Sequence, residues 1–406
     1  RTMMKTFDFW RRALAALTGM ALIWAASTAQ GASPPASRAG TAPEAGADVA
    51  TPARIAERMR AFVEAGQMAG SVTLVARQGK VVHFEAVGLA DIETERPMET
   101  DTLFAIASMT KPVTATALMI LQDEGKLSVD DPVAKHLPEL AGLSFEGRPA
   151  QPRVTIRHAM THTSGMGGSQ RTEQTLQETV EAIAGRPLDF APGTRWQYSP
   201  GLNVCGRIIE VVSGQPFDAF LAERVFVPLG MRDTTFAPSP GQKARMAKLY
   251  KPGAEDRSLE PAEHWLIDDA GRRAPNPSGG LVSTAADVAR FYQMILNGGE
   301  LDGRRIVSKS AVDQMTRVQT GDLTTAFTPG NGWGLGWCIV RQPQGVTRML
   351  SPGTCGHGGA FGTQGWIDPE RQMIFVLMIQ RTGFGNGDAS EIRDALQAIA
   401  VEAFAK

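Results

Sequence analysis

The sequence predicts an α/β fold in which strands from the two ends of the chain share one sheet and a helical middle is inserted between them. Three observations carry this. β-branched runs cluster near the start, at Ser71–Arg77 and Lys80–Val87. Strand-like runs return only late, at Trp333–Arg341 and Gly365–Gln380. Between them, from about Asp130 to Arg273, short helical patterns alternate with Pro- and Gly-rich loops. No internal repeat of fixed period interrupts this order.

The elements follow in turn. Met3 or Met4 is the expected start. Lys5, Arg11 and Arg12 precede an uncharged apolar run, Ala13 to Ala26, and Ala29-Gln30-Gly31 supplies small residues beyond it. Fourteen apolar residues fall short of the roughly 18–20 needed to span a bilayer. Residues 1–31 are therefore expected to be a secretory signal peptide, leaving no stable membrane span once removed and a secreted or periplasmic product. An uncleaved amino-terminal anchor is the competing reading. Residues 32–51, rich in Ala, Pro and Gly, should be a flexible linker, with the folded domain spanning 52–406. Ile55, Met59, Phe62 and Val63 recur at helical spacing before Gly66. The Gln78-Gly79 pair should close an antiparallel hairpin. Val113–Asp123 reads as a helix ended by Gly125, Thr284–Asn297 as one ended by Gly298-Gly299, and Asp388–Phe404 as the last helix.

Composition narrows the function. With 406 residues, 43% of them hydrophobic and 20% charged, the chain is globular rather than disordered or coiled coil. A net charge of −1 offers a polyanion no general attraction, so no nucleic-acid partner is expected. Three cysteines exclude a disulfide scaffold and a Cys-rich zinc module. Cys338 and Cys355 can pair in an oxidising compartment, but three buried thiols is the default reading.

Ser108-Met-Thr-Lys111 is a Ser-x-x-Lys followed by Pro112, which sits comfortably only in the first turn of a helix. Residues i and i+3 share a face, so the Lys111 amine can reach the Ser108 hydroxyl. A serine becomes a nucleophile when a neighbour takes its proton, and a desolvated lysine can be that neighbour. The tetrapeptide alone fits an N-cap serine beside a surface lysine better. The apolar flanks, Phe104–Ala107 and Val113–Leu121, favour burial and reverse that preference.

Further segments follow in a fixed order: Asp130-Asp-Pro-Val, His158-Ala-Met-Thr-His-Thr-Ser-Gly, Trp196-Gln-Tyr-Ser-Pro, Gly280-Leu-Val-Ser-Thr-Ala and Gly356-His-Gly-Gly-Ala-Phe-Gly. With Phe104–Pro112, they make the chain from about Ile55 to Phe404 resemble the serine beta-lactamase and penicillin-binding protein superfamily. The similarity is greatest to its class C beta-lactamase-like branch, which includes the family VIII carboxylesterases. The resemblance implies a beta-lactamase-like α/β fold: a central antiparallel sheet flanked by helices, with an inserted all-helical subdomain. Its α/β part would cover about 52–125 and 275–406 and its helical insertion about 126–274.

The resemblance also implies roles. Tyr198, one of only three tyrosines, stands where the family's second motif has its proton-shuttling tyrosine; a buried packing tyrosine is the alternative. Pro200 replaces that motif's asparagine, and Asn203 is a spatial substitute to be tested. His357-Gly358-Gly359 replaces the third motif, Lys-Thr-Gly. The oxyanion donors would be the N–H groups of Ser108 and Ala360. Gly358 and Gly359 would let substrate approach the strand, and His357 would reach Tyr198 or the substrate and titrate near neutral pH, unless it is a core histidine. Trp333 and Phe361 fit an acyl-pocket wall and core packing equally, as does Trp337.

His158 and His162 share zinc-helix spacing, but Ala159 stands where a metalloprotease has its glutamate, and no third ligand is evident, so no metal is expected. No Gly-x-Ser-x-Gly elbow occurs. The expectation is a serine hydrolase that needs no cofactor and acts through an acyl-enzyme on small-molecule esters with short acyl chains. A beta-lactamase or D-amino-acid peptidase acting on amides is the alternative. A penicillin-recognising sensor without turnover is the second.

Overall fold

The computed structural model describes residues 51–255, 258–325, 327–385 and 387–405. The signal peptide and nearly all of the linker read from the sequence lie outside the described residues.

The early β-branched runs form a hairpin, β1 (Gly70–Arg77) and β2 (Lys80–Asp91). Gln78 and Gly79 have φ of 50° and 77°, the double left-handed turn whose twist matches that of paired strands. β3 (Arg96–Pro97) continues from β2. The late strands are β4 (Asn331–Trp333), β5 (Cys338–Val340), β6 (Cys355–Gly358), β7 (Gln364–Asp368) and β8 (Met373–Met378). One eight-stranded sheet unites both groups in the order β4-β5-β6-β7-β8-β1-β2-β3, each neighbour antiparallel.

Two strand expectations are corrected. Trp333–Arg341 is a tight hairpin, turning at Gly336 with φ 77°. Gly365–Gln380 is also two strands. Pro369 cannot donate to a ladder, and the fully buried Asp368 carboxylate fixes the turn by accepting the Arg371 and Ser351 N–H groups at 3.0 Å each. The glycines of β6 hide it from any β-branched pattern.

The sheet is a middle layer, and period two sorts its side chains. Val72, Leu74, Ile374, Val376 and Met378 face one core, Val75, Phe375 and Leu377 the other. The second core is closed by α1 (Thr51–Glu64), through Ile55, Met59 and Phe62, and by α5 (Glu391–Phe404), through Ile392 and Leu396. The first is closed by α2 (Thr110–Asp123) and α4 (Ala285–Leu296). Every residue of α2 from Thr110 to Leu121 is buried, because α3 (Gly201–Ser213) packs on its far side. Apolar residues of the helical middle, among them Leu176, Ile208 and Phe217, join the same cluster as α2. All described residues belong to one compact unit. No helix among them is long and apolar enough to cross a membrane.

Candidate active site

The chain reaches Ser108 through a short bridge. Phe104–Ala105 pairs with Val282–Ser283, and Ile106 N–H donates to the Leu281 carbonyl at 2.9 Å. Ala107 then takes φ 46°, a left-handed conformation that costs a non-glycine residue about 1 kcal/mol or more. Thr110 locks this corner: its hydroxyl donates to the Ala107 carbonyl at 2.7 Å and accepts the Leu281 N–H at 3.2 Å. Ser108 thus sits half-buried in a single 3₁₀ turn, Ala107–Met109, that runs into α2.

One turn on, Lys111 is completely buried. Its Nζ lies 3.1 Å from Ser108 Oγ and donates to the Ser278 carbonyl at 2.6 Å and to Gln170 Oε1 at 3.3 Å. Burial pushes its pKa well below the ordinary lysine value, since an ammonium is costly away from water. Tyr198 approaches from the loop before α3 and donates its hydroxyl to Ser108 Oγ at 2.8 Å. Its ring centroid is 4.5 Å from Lys111 Nζ. Burial raises the phenol above its usual range, and the bond to Ser108 offsets part of that rise. Both shifts favour a neutral amine beside a neutral phenol, not the ammonium–phenolate pair. Ser108, Lys111 and Tyr198, scattered over 91 positions, therefore converge on one oxygen.

Aromatic rings hold Tyr198 in place. His162 lies tilted against it at 4.5 Å, Phe327 meets it edge-on at 4.9 Å, and Trp333 lies at 6.1 Å. His162, with φ 60°, accepts the Ser199 N–H on Nδ1 at 3.1 Å, which fixes the backbone next to Tyr198. His158 serves differently: its Nδ1 accepts the Thr155 N–H at 3.2 Å and closes a helix N-terminus. Each histidine of the zinc-like pair thus has a local hydrogen-bonding task. Among the described residues, no three His, Cys, Asp or Glu side chains gather as metal ligands.

β6 forms the opposite edge. A Cβ at Gly359 would come within 2.5 Å of the Ile106 carbonyl oxygen, so glycine lets the strand end lie against the Ser108 corner. Gly359 N–H donates to Thr363 O at 2.7 Å and Gly362 N–H to Gly359 O at 2.9 Å, a tight turn that presents Ala360 at the surface. Neither the Ser108 nor the Ala360 N–H donates to another main-chain carbonyl among the described residues. A Cβ at Gly358 would collide with the Asp388 carboxylate, which lies directly over it.

His357 differs from its sequence expectation. Its Nδ1 pairs with the Gly358 carbonyl at 2.6 Å rather than with Tyr198, and burial holds its pKa down at about 4. At neutral pH it is uncharged. Trp333 is 1% exposed and backs Tyr198 and His357 instead of fronting a pocket. Phe361 is 0% exposed; it packs with Ala105, Ala107 and Leu249 beneath the Ser108 corner. Asn203 does not reach the serine. It donates to the Gln170 carbonyl at 3.0 Å and accepts the Ser278 N–H at 3.2 Å, bracing both acceptors of the lysine. All three cysteines are buried and free.

Gln170, Ser278, His162 and Asp388 were not legible as site residues. Gln170 lies in a polar loop with no motif, and Ser278 acts through its carbonyl, which any residue carries. His162 was visible in one of the segments that carry the resemblance and through a spacing that suggests zinc, neither of which gave it a task.

The beta-lactamase family profile matches residues 55–399. Esterase EstB of Burkholderia gladioli is 34% identical over 371 residues, covering 82% of this chain and 91% of that protein. Penicillin-binding protein 4 of Amycolatopsis lactamdurans is 35% identical over 290 residues, covering 70% and 72%. Among solved structures, EstCE1, described as a hydrolase with promiscuous acyltransferase activity, superposes with a TM-score of 0.76 at 25% identity, covering 85% of this chain and 98% of its own. With that match and the fold described above, the chain belongs to the beta-lactamase family of serine hydrolases.

Proposed function

We propose that this enzyme hydrolyses short-chain carboxylic esters through an acyl-enzyme on Ser108. The observation that carries the reading is the convergence of Lys111 Nζ at 3.1 Å and Tyr198 Oη at 2.8 Å on Ser108 Oγ. Neutral Lys111 takes the hydroxyl proton as Ser108 attacks the ester carbonyl. The tetrahedral oxyanion is held by the Ser108 and Ala360 N–H groups. Tyr198 gives its proton to the departing alkoxide and is reprotonated by the Lys111 ammonium. Water then replaces the alcohol; the same pair takes its proton as it attacks the acyl carbonyl and returns that proton to Ser108 Oγ as the Oγ–acyl bond breaks and the carboxylic acid leaves.

The preference for esters follows from what two positions lack. Pro200 supplies no amide to grip a substrate side chain, and neutral His357 supplies no cation. An alkoxide leaves more readily than an amine, so such a site favours ester cleavage. The 34% identity to an esterase supports the same choice. The reading includes export by the amino-terminal signal, which fractionation of the native host tests by locating the activity outside the cytoplasm.

Steady-state kinetics with p-nitrophenyl butyrate and nitrocefin test the function. Turnover of the ester alone supports it. Nitrocefin turnover at comparable kcat/KM overturns it in favour of a beta-lactamase, and a single burst leaving a stable adduct overturns it in favour of a sensor. Full activity in Ser108→Ala would show that another group is the nucleophile.

A further inference from the structure

We propose that Asp388 selects substrates by charge, admitting neutral and cationic esters and rejecting those that carry a carboxylate. The inference rests on the esterase reading and adds the substrate's electrostatic class.

Asp388 lies in the turn Gly387–Ala389 that leads into α5. This turn is seated on the strand end: a Cβ at Gly387 would stand 3.8 Å from the Gly359 carbonyl oxygen. The Asp388 carboxylate covers Gly358, the residue between His357 and the strand end that carries Ala360. Its position is fixed. Gln364 Nε2 donates to Asp388 Oδ1 and to the Gly387 carbonyl, each at 3.1 Å, and Trp366 Nε1 holds the other end of the Gln364 amide at 2.9 Å. Asp388 is half-buried, so its charge is neither fully solvated nor sealed in the core. The field reaches the reacting groups, favouring the protonated forms of both Tyr198 and His357.

Among the described residues, the buried basic side chains Lys111 and Arg393 do not answer a substrate carboxylate. Lys111 is buried, held by Ser278 and Gln170, and depressed toward the neutral amine. Arg393 is 1% exposed, with its guanidinium 3.9 Å from the Trp366 ring centroid, Nη1 on the Asp388 carbonyl and Nε on Gln397. It tempers the Asp388 charge from the core side and cannot reach a ligand. A substrate carboxylate brought to β6 meets the Asp388 anion, whereas an ammonium there gains a partner.

Three butyryl thioesters of similar size test this: one of thiocholine, one of its uncharged analogue 3,3-dimethylbutanethiol, and one of 3-mercaptopropionate. Thiol release gives kcat/KM for each. One charge acting across a partly solvated site, tempered by Arg393, changes affinity by a few-fold, so the cation-to-anion ratio should be about tenfold. In Asp388→Asn the ratio should fall to within about threefold, and in Asp388→Glu it should persist. In wild type it should shrink as salt is raised, a readout that needs no variant. A flat or salt-independent wild-type ratio, or an unchanged ratio in Asp388→Asn, overturns the charge selection and leaves the esterase reading standing. Failure to turn over the uncharged thioester overturns both.

Discussion

Replacing Tyr198 with phenylalanine removes one oxygen and keeps the ring. The lost oxygen donates to Ser108 Oγ at 2.8 Å, and the retained ring still packs against His162 at 4.5 Å and meets Phe327 at 4.9 Å. One net hydrogen bond is worth about 1 kcal/mol, so Tm should fall by no more than about 4 °C. Catalysis should suffer far more, because a positioned acid–base group contributes about 10²–10⁴-fold, or about 2.7–5.5 kcal/mol of barrier. The loss should depend on the leaving group. p-Nitrophenolate departs without a proton, whereas ethoxide needs one. kcat/KM for p-nitrophenyl butyrate should therefore fall by about 10²-fold and that for ethyl butyrate by about 10⁴-fold. The comparison is made in kcat/KM because both substrates give the same butyryl-enzyme, whose hydrolysis they share. Equal losses on the two esters, or a loss under about threefold on ethyl butyrate, would refute Tyr198 as the proton donor.

Other perturbations separate the remaining parts of the site. Lys111→Met should lower kcat/KM by about 10²–10⁴-fold. It should also change the pH dependence of stability. The depressed lysine leaves the unfolded chain holding the extra proton, so wild type loses stability as pH falls below about 10.4, and the variant's relative stability in urea should be greater at pH 7 than at pH 9. Gly359→Ala places a Cβ 2.5 Å from the Ile106 oxygen and should displace the Ala360 N–H, lowering kcat/KM by about 10²-fold or more with an unchanged far-UV spectrum. Away from the site, buried His83 bonds Thr73 Oγ1 at 2.7 Å, and burial lowers its pKa from 6.5 to about 4. The unfolded chain protonates first, so this residue should cost up to about 3 kcal/mol as pH falls from 6.5 to 4, a loss that urea titrations of His83→Gln should not show.

The parts of the molecule that local chemistry dictates were legible in the sequence. The β1–β2 turn needs two left-handed residues, and Gln78-Gly79 announces them. α2 needs a Pro-compatible first turn and a terminator, and Pro112 and Gly125 provide both. Ser108, Lys111 and Tyr198 could be named because the chemistry proposed for each is open to few side chains. What escaped depends on where distant segments meet. β6 is too short and glycine-rich to show a strand pattern, and the turn at Pro369 was submerged in an apolar run. His357 was expected to titrate near neutrality, but its pKa is set by burial beside Trp333, which no motif encodes. Gln170 and Asp388 reach the site only because their loops fold back over it.

The sheet order also constrains how the protein comes into being. Val72, in the first strand, is paired with Met378, more than 300 positions later. The amino-terminal hairpin must therefore wait, with one edge open, until almost the whole chain is available. Contacts of such long sequence separation slow folding and leave an unpaired strand exposed to aggregation in the meantime. The Ser108–Lys111 corner belongs to a helix that can form early, but Gly359 and Ala360 arrive only when β6 to β8 are laid beside β1. On the proposed mechanism, a nascent or carboxy-terminally truncated chain would thus hold Ser108 and Lys111 without the Ala360 N–H, and hydrolysis would begin only as the last strands close the sheet.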